Sequence, residues 1–277
     1  MEKTNYKELI PKLIERDDPY SVTDAFDLCR ELEQEGSVFV EGNGKRDYGT
    51  LVYDEENFSL AHELVKGVRS ASNKMMRDGV EVEKMLDLYY RTHLFDAPFF
   101  FDSFCIYIEK DRAPDKQFYL PRRKQLLKCV QGIQDLEDGK LHTLAISLAP
   151  GVGKTTLAEF GLAWTCGRNP FLPNLIGSHN AAFLTGMYGE MLRIFDKLGE
   201  YRWEDVFPNL KVINTNAKDL MIGIGQEPSD DMRFKTLQFG SLGSQLAGRV
   251  RAANWMYLDD PVDGIETALN RERLDKL

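Results

Sequence analysis

The stretch Ser147-Leu148-Ala149-Pro150-Gly151-Val152-Gly153-Lys154-Thr155-Thr156 decides the reading of this chain. An apolar run of strand type, Leu144-Ala145-Ile146, precedes it, and a helix-type run, Leu157 to Trp164, follows. Strand, glycine-bearing turn, Lys-Thr and helix is the layout of a phosphate-binding loop. Gly151 and Gly153 allow a tight turn that brings backbone N–H groups close to oxygen anions. A helix starting near Lys154 points the positive end of its dipole at the same spot. Lys154 adds a full charge, and the Thr155 hydroxyl is of the type that holds magnesium. The candidate nucleotide-binding residues are therefore Gly151, Val152, Gly153, Lys154, Thr155 and Thr156. The spacing departs from G-x-x-x-x-G-K-[ST] in one place: Leu148 stands where the first glycine belongs, and Pro150-Gly151 shapes the turn instead.

A second anchor lies about a hundred residues further on, Trp255-Met256-Tyr257-Leu258-Asp259-Asp260-Pro261. An apolar strand ending in two carboxylates suits delivery of acids to a nucleotide, and it is expected buried beside the phosphate-loop strand. Asp259 is the candidate magnesium ligand, directly or through water. Asp260 is the candidate for polarising the attacking water. Between the anchors, Leu175–Ser178, Lys211–Ile213, Leu220–Ile224 and Phe234–Phe239 look extended, and Ala181–Leu198 looks helical. That alternation predicts an α/β fold with a mainly parallel sheet flanked by helices. The small-residue loop Gly240 to Arg251 precedes the second anchor. Arg249 or Arg251 there is suited to meet a γ-phosphate, and the alternative is a surface loop with two solvated arginines.

Upstream, Phe118-Tyr119-Leu120-Pro121-Arg122-Arg123-Lys124-Gln125 leads into a helix. A glutamine amide offers one donor and one acceptor, so Gln125 is a candidate reader of adenine, with Phe118 or Tyr119 packed on the base. A solvated basic helix start is the equal alternative. The aromatic run His93 to Phe104 reads as core packing, and it lacks the interleaved cations of a base-stacking platform. Residues 1–92 read as mostly helical, with segments near Asp24–Glu35, Leu60–Arg77 and Val82–Thr92. Ser21 or Thr23 is the expected cap of the first, Gly36 its stop, and Ser37–Val40 with Thr50–Tyr53 a small hairpin. No catalytic constellation stands out there, and His62 reads as a surface or cap residue.

Composition sets limits. Of 277 residues, 43% are hydrophobic and 29% charged, so the chain is globular rather than disordered. A net charge of −9 means that a nucleic-acid partner needs a local basic patch. Cys29, Cys105, Cys129 and Cys166 form no C-x-x-C pair, so neither a zinc site nor a redox site is suggested. No run reaches the length of a membrane span.

Four stretches together resemble the large subunit of a tailed-phage terminase, the motor that packages viral DNA. They are Tyr119 to Gln125, Leu148 to Thr155, Gly240 to Arg249 and Leu258-Asp259-Asp260-Pro261. The resemblance covers residues 93–277, so the chain divides into a helical region, 1–92, and an ATPase region, 93–277. It implies a P-loop NTPase fold of the additional-strand type, with Walker A at Gly151–Thr156, Walker B at Leu258–Asp259, and ATP and magnesium as cofactors. It implies Lys154, Asp260 and an arginine finger as catalytic residues. The family usually has glutamate where Asp260 stands, and a basic residue within the phosphate loop where this chain has Pro150 and Val152. Arg249 is therefore the candidate finger. Implied partners are double-stranded DNA, a portal protein, a terminase small subunit and further copies of the chain in a ring. The implied location is the host cytoplasm, transiently at the procapsid portal. The strand expected after the acidic pair has no candidate, because Ile265–Leu277 reads as one charged helix. The family's nuclease domain has none either, so the sequence is expected to be an N-terminal portion with an incomplete core and no DNA cleavage. A helicase-like or remodelling ATPase, or a non-catalytic nucleotide-binding fragment, is the alternative.

Overall fold

The computed structural model describes residues 5–44, 46–241 and 251–259. It contains two compact units that divide between Phe99 and Phe100. The sequence-based boundary at 92/93 falls within a helix of the first unit.

The first unit has helices α1 (Tyr6–Glu15) and α2 (Pro19–Gln34), a two-stranded hairpin, β1 (Val38–Val40) with β2 (Thr50–Val52), and then α3 (Glu55–Arg77) and α4 (Val82–Asp96). Val38 pairs with Val52 and Val40 with Thr50, antiparallel. The helices bury one face each around Ile10, Val22, Phe26, Cys29, Val65, Val68, Met85 and Leu88. The cap of α2 is neither Ser21 nor Thr23. Asp18 accepts from the Tyr20 and Ser21 amides at 3.0 Å, and Pro19 occupies the first turn. An aspartate followed by proline is the stronger start, since proline loses no hydrogen bond there. Gly36, at φ +80°, follows the end of α2 as expected.

The second unit has α5 (Phe101–Tyr107), α6 (Tyr119–Glu137), α7 (Lys154–Arg168), β3 (Asn174–Ser178), α8 (Ala181–Ile194) and α9 (Trp203–Val206). After these come β4 (Lys211–Asn216), β5 (Met221–Gly225), β6 (Leu237–Ser241) and β7 (Met256–Leu258). The five strands form one sheet in the order β4-β5-β6-β3-β7. All residues of β3 are buried, and α8 packs on β3 and β6. The largest buried side chains include Trp164 of α7 and Trp203, whose indole N–H donates to the Ala163 carbonyl at 2.8 Å.

The expected α/β class is present, but the sheet is mixed. β3 runs parallel to both β6 and β7, whereas β5 runs antiparallel to both β4 and β6. The cause is local: four residues join β4 to β5, enough for a reversal and too few for a parallel crossover. Leu220 in this turn takes φ +48°. Two further expectations need correction. Leu144–Leu148 is not a strand and makes no ladder; its residues alternate between half-buried and exposed. Accordingly β7 lies beside β3, not beside the phosphate-loop segment, and Met256 and Leu258 are 56% and 43% exposed instead of buried. Residues Ile265–Leu277 lie outside the described residues. No described helix is long and apolar enough to cross a membrane.

Candidate functional site

The glycine loop has the backbone that its sequence demands. Gly151 takes φ +78° and Gly153 φ +102°, both in the left-handed region. Gly153 is the residue before α7, so Lys154 is the first residue of that helix. The Leu157 amide donates to the Gly153 carbonyl at 3.0 Å, the first bond of the helix ladder.

Gly153 is needed for a second reason. A Cβ there would stand 2.1 Å from Cε2 of Phe118. The Phe118 ring thus closes against the loop from below, and it meets Phe160 of α7 edge-on at 5.7 Å. What holds Phe118 is Glu109, 2% exposed. Its carboxylate accepts from the Phe118 amide at 2.9 Å, the Tyr119 amide at 2.8 Å and the Arg112 guanidinium at 2.7 Å. The start of α6 is therefore capped by a carboxylate nine residues upstream, which helical periodicity does not reveal.

Asp259 follows the end of β7. Its amide donates to the Gly177 carbonyl at 3.0 Å, extending the β3–β7 ladder by one residue, and it is 7% exposed. The Lys154 Nζ lies 2.9 Å from Asp259 Oδ1. Two residues that the sequence separates widely thus meet between the start of α7 and the end of a parallel strand. Asp260 and Arg249 lie outside the described residues, as does the small-residue loop from Leu242 to Val250.

Thr155 and Thr156 line a cavity of about 420 Å³, together with Phe118, Arg122, Glu159 and Tyr201 among others. Gln125 does not reach it and is exposed on α6. Just under one turn nearer the helix start, Arg122 lines the cavity: its guanidinium lies over the Phe118 ring at 5.4 Å. Arg123 instead makes paired contacts of 2.8 Å with Asp102. Glu159, 7% exposed, was not singled out by its sequence. Burial, with a smaller contribution from Glu190, pushes its carboxyl up to about 8.

No cluster of three or more His, Cys, Asp or Glu side chains arranged for a metal occurs among the described residues. Thr155 and Asp259 carry oxygens of the type that holds magnesium. The four cysteines are free thiols.

His62 is not a surface residue. It is 3% exposed, with Nδ1 2.6 Å from Asp96 and Nε2 3.2 Å from Glu33, and its ring stacks on Phe95. Arg69 joins the cluster through Asp96 and the Thr92 carbonyl. The sequence signal is weak, because Glu33, His62 and Asp96 come from three separate helices or their ends.

Compared with known protein families, curated proteins and solved structures, the chain matches none of them.

Proposed function

We propose that the second unit binds ATP with magnesium and hydrolyses it, and that the chain is the ATPase region of a tailed-phage terminase large subunit. The observation that carries the ATPase reading is the 2.9 Å approach of Lys154 to Asp259. A lysine at a glycine-loop helix start and a carboxylate at a strand end serve opposite sides of a phosphate–magnesium pair. On this reading Lys154 would turn from Asp259 to a phosphate oxygen, and Asp259 would help to hold magnesium, which would neutralise charge on the phosphates. Backbone N–H groups from Gly151 to Thr156 cradle the phosphates, and Thr155 supplies the second metal oxygen. Asp260 polarises the attacking water, and Arg249 supplies the finger. These last two roles rest on sequence alone.

The terminase reading is supported by the order of the four stretches quoted above. It assigns the work of hydrolysis to moving double-stranded DNA into a procapsid. The DNA would be gripped through its backbone with little sequence reading. A portal protein, a small subunit and a ring of copies at the procapsid in the host cytoplasm belong to the same reading.

The test is hydrolysis of magnesium-ATP by the purified chain and by Lys154→Ala, with and without double-stranded DNA. The parent should turn over ATP and the variant should lose at least about a hundredfold, the scale for a lost transition-state contact. Equal rates in the two proteins overturn the assignment.

A further inference from the structure

The cavity beside the glycine loop contains a feature that phosphate binding leaves unexplained. Glu159 sits four residues after Thr155, so α7 presents both on one face, about 6 Å apart along the helix. It is more than nine-tenths buried, lines the cavity, and has no hydrogen-bond or ion-pair partner among the described residues. A buried carboxyl without a partner costs free energy unless something supplies one.

We propose that this cavity receives the base of an adenine nucleotide and that Glu159 reads its hydrogen-bonding edge. The inference rests on the phosphate-site reading above and adds the base and its reader. The cavity begins at Thr155 and Thr156, where the phosphates end, and its volume of about 420 Å³ suits a nucleoside. Phe118 and the Arg122 guanidinium above it offer flat faces to a base.

The neighbours of Glu159 favour a neutral acid. From α8 comes Glu190, a like charge, which is itself paired with Arg193 at 2.8 Å. The cations that line the cavity are engaged elsewhere. Arg112 pairs with Glu109 and Glu200 and donates to the Tyr201 hydroxyl. Lys116 pairs with Glu200, and Arg122 donates to the Phe118 carbonyl. Asp115 adds a further negative group to the lining. With its carboxyl pushed up to about 8, Glu159 is mostly protonated at neutral pH. A neutral carboxyl has one O–H donor and one carbonyl acceptor. Adenine presents the complement, an acceptor at N1 beside the N6 amine. Guanine carries an acceptor, O6, where adenine has the N6 amine and a donor, N1–H, where adenine has an acceptor, so the acid set for adenine meets two mismatches, and the flipped acid leaves the guanine N2–H without an acceptor.

The experiment is displacement of a fluorescent N-methylanthraniloyl nucleotide from the full chain by ATP, GTP or inorganic tripolyphosphate. The parent should prefer ATP to GTP by about tenfold at neutral pH, the scale of one hydrogen bond made against one lost. Glu159→Ala should bind the two equally. Glu159→Gln, whose amide keeps a donor and an acceptor, should retain the preference. The parent's preference should fade as pH rises to about 9, where the acid ionises, while that of Glu159→Gln stays flat. A parent that binds ATP and GTP equally, or a Glu159→Ala variant that keeps the parent's preference, overturns the base assignment while tripolyphosphate displacement upholds the phosphate site. Failure of both ATP and tripolyphosphate to displace the probe overturns the phosphate site itself.

Discussion

Lys154 Nζ and Asp259 Oδ1 stand 2.9 Å apart, joining the first residue of α7 to the residue after β7. Asp259 is nearly buried, and Lys154 keeps about a third of its side chain in solvent. The lysine is thus the more solvent-exposed partner of the pair, while the backbone of the carboxylate is held by the ladder from Gly177. On the reading proposed above, the two neighbouring acids have separate roles. Asp259→Asn removes the charge that magnesium needs, so magnesium-nucleotide affinity should fall while nucleotide binding without metal changes little. Asp260→Asn should leave binding intact and slow turnover roughly a hundredfold or more, the scale for a lost general base. Titrations of both variants with and without magnesium check this, and equal loss of affinity in the two refutes the division.

The two glycines of the loop should respond differently to alanine. Gly151→Ala meets only backbone strain, because no atom lies within 4 Å of its added Cβ. Gly153→Ala meets strain at φ +102° and also a 2.1 Å overlap with Phe118. Each effect costs about 1–3 kcal/mol, so Gly153→Ala should be the more destabilising by a similar amount. Thermal unfolding of both variants tests this. Adding Phe118→Ala to Gly153→Ala should recover part of the overlap cost but none of the strain. If the double variant is no better than the sum of its singles, Phe118 is not what closes the loop.

How far the sequence could be read follows from where each signal resides. Gly151, Gly153 and Lys154 were legible because a turn followed by a helix start is a local pattern. The long helices α2, α3 and α4 were legible from apolar spacing. Strand direction was not, since β4 and β5 show the same composition in either orientation, and only the four-residue link between them decides. Gln125 looked suited to adenine by chemistry, but it lies nearly a turn further along α6 and is exposed, whereas Arg122 lines the cavity. Glu109, Glu159 and His62 were missed for one shared reason. Their roles come from burial against partners or a cavity far away in sequence, and no spacing rule encodes that.

Glu109 should be a stability residue whose loss also damages the site. Three donors converge on its buried carboxylate: two amides at the start of α6 and the Arg112 guanidinium. Glu109→Ala leaves the two amides unsatisfied and strips Arg112 of its buried partner, leaving it Glu200 and the Tyr201 hydroxyl, at a cost of about 2–4 kcal/mol. The loosened Phe118 should then weaken nucleotide binding as well. Urea unfolding followed by fluorescence of Trp164, Trp203 and Trp255, all in this unit, reads the first effect. A change below about 1 kcal/mol contradicts the cap.

In the first unit, the His62 cluster should make stability depend on pH. Burial pulls the imidazole down, but hydrogen bonds and charges from Asp96 and Glu33 more than reverse this, so its value is raised above the ordinary 6.5. With His62 and Arg69 charged, the two cations balance the two carboxylates. Loss of the His62 proton leaves an uncompensated negative charge among Phe58, Phe95 and Phe99. A group whose folded value is raised contributes stability that is complete below the unfolded value and disappears as pH rises through the folded one. The first unit should therefore loosen between about pH 6.5 and the higher folded value of His62, a direction opposite to acid unfolding. Tryptophan fluorescence does not see this unit, because all three tryptophans lie in the other. Amide hydrogen exchange along α3, corrected for the intrinsic pH dependence of exchange, reads it directly. The parent should lose protection near His62 as pH rises through that window. His62→Gln, which can hydrogen-bond but not titrate, should be less protected at low pH and flat across it. The same slope in both proteins means that His62 is not the group that titrates.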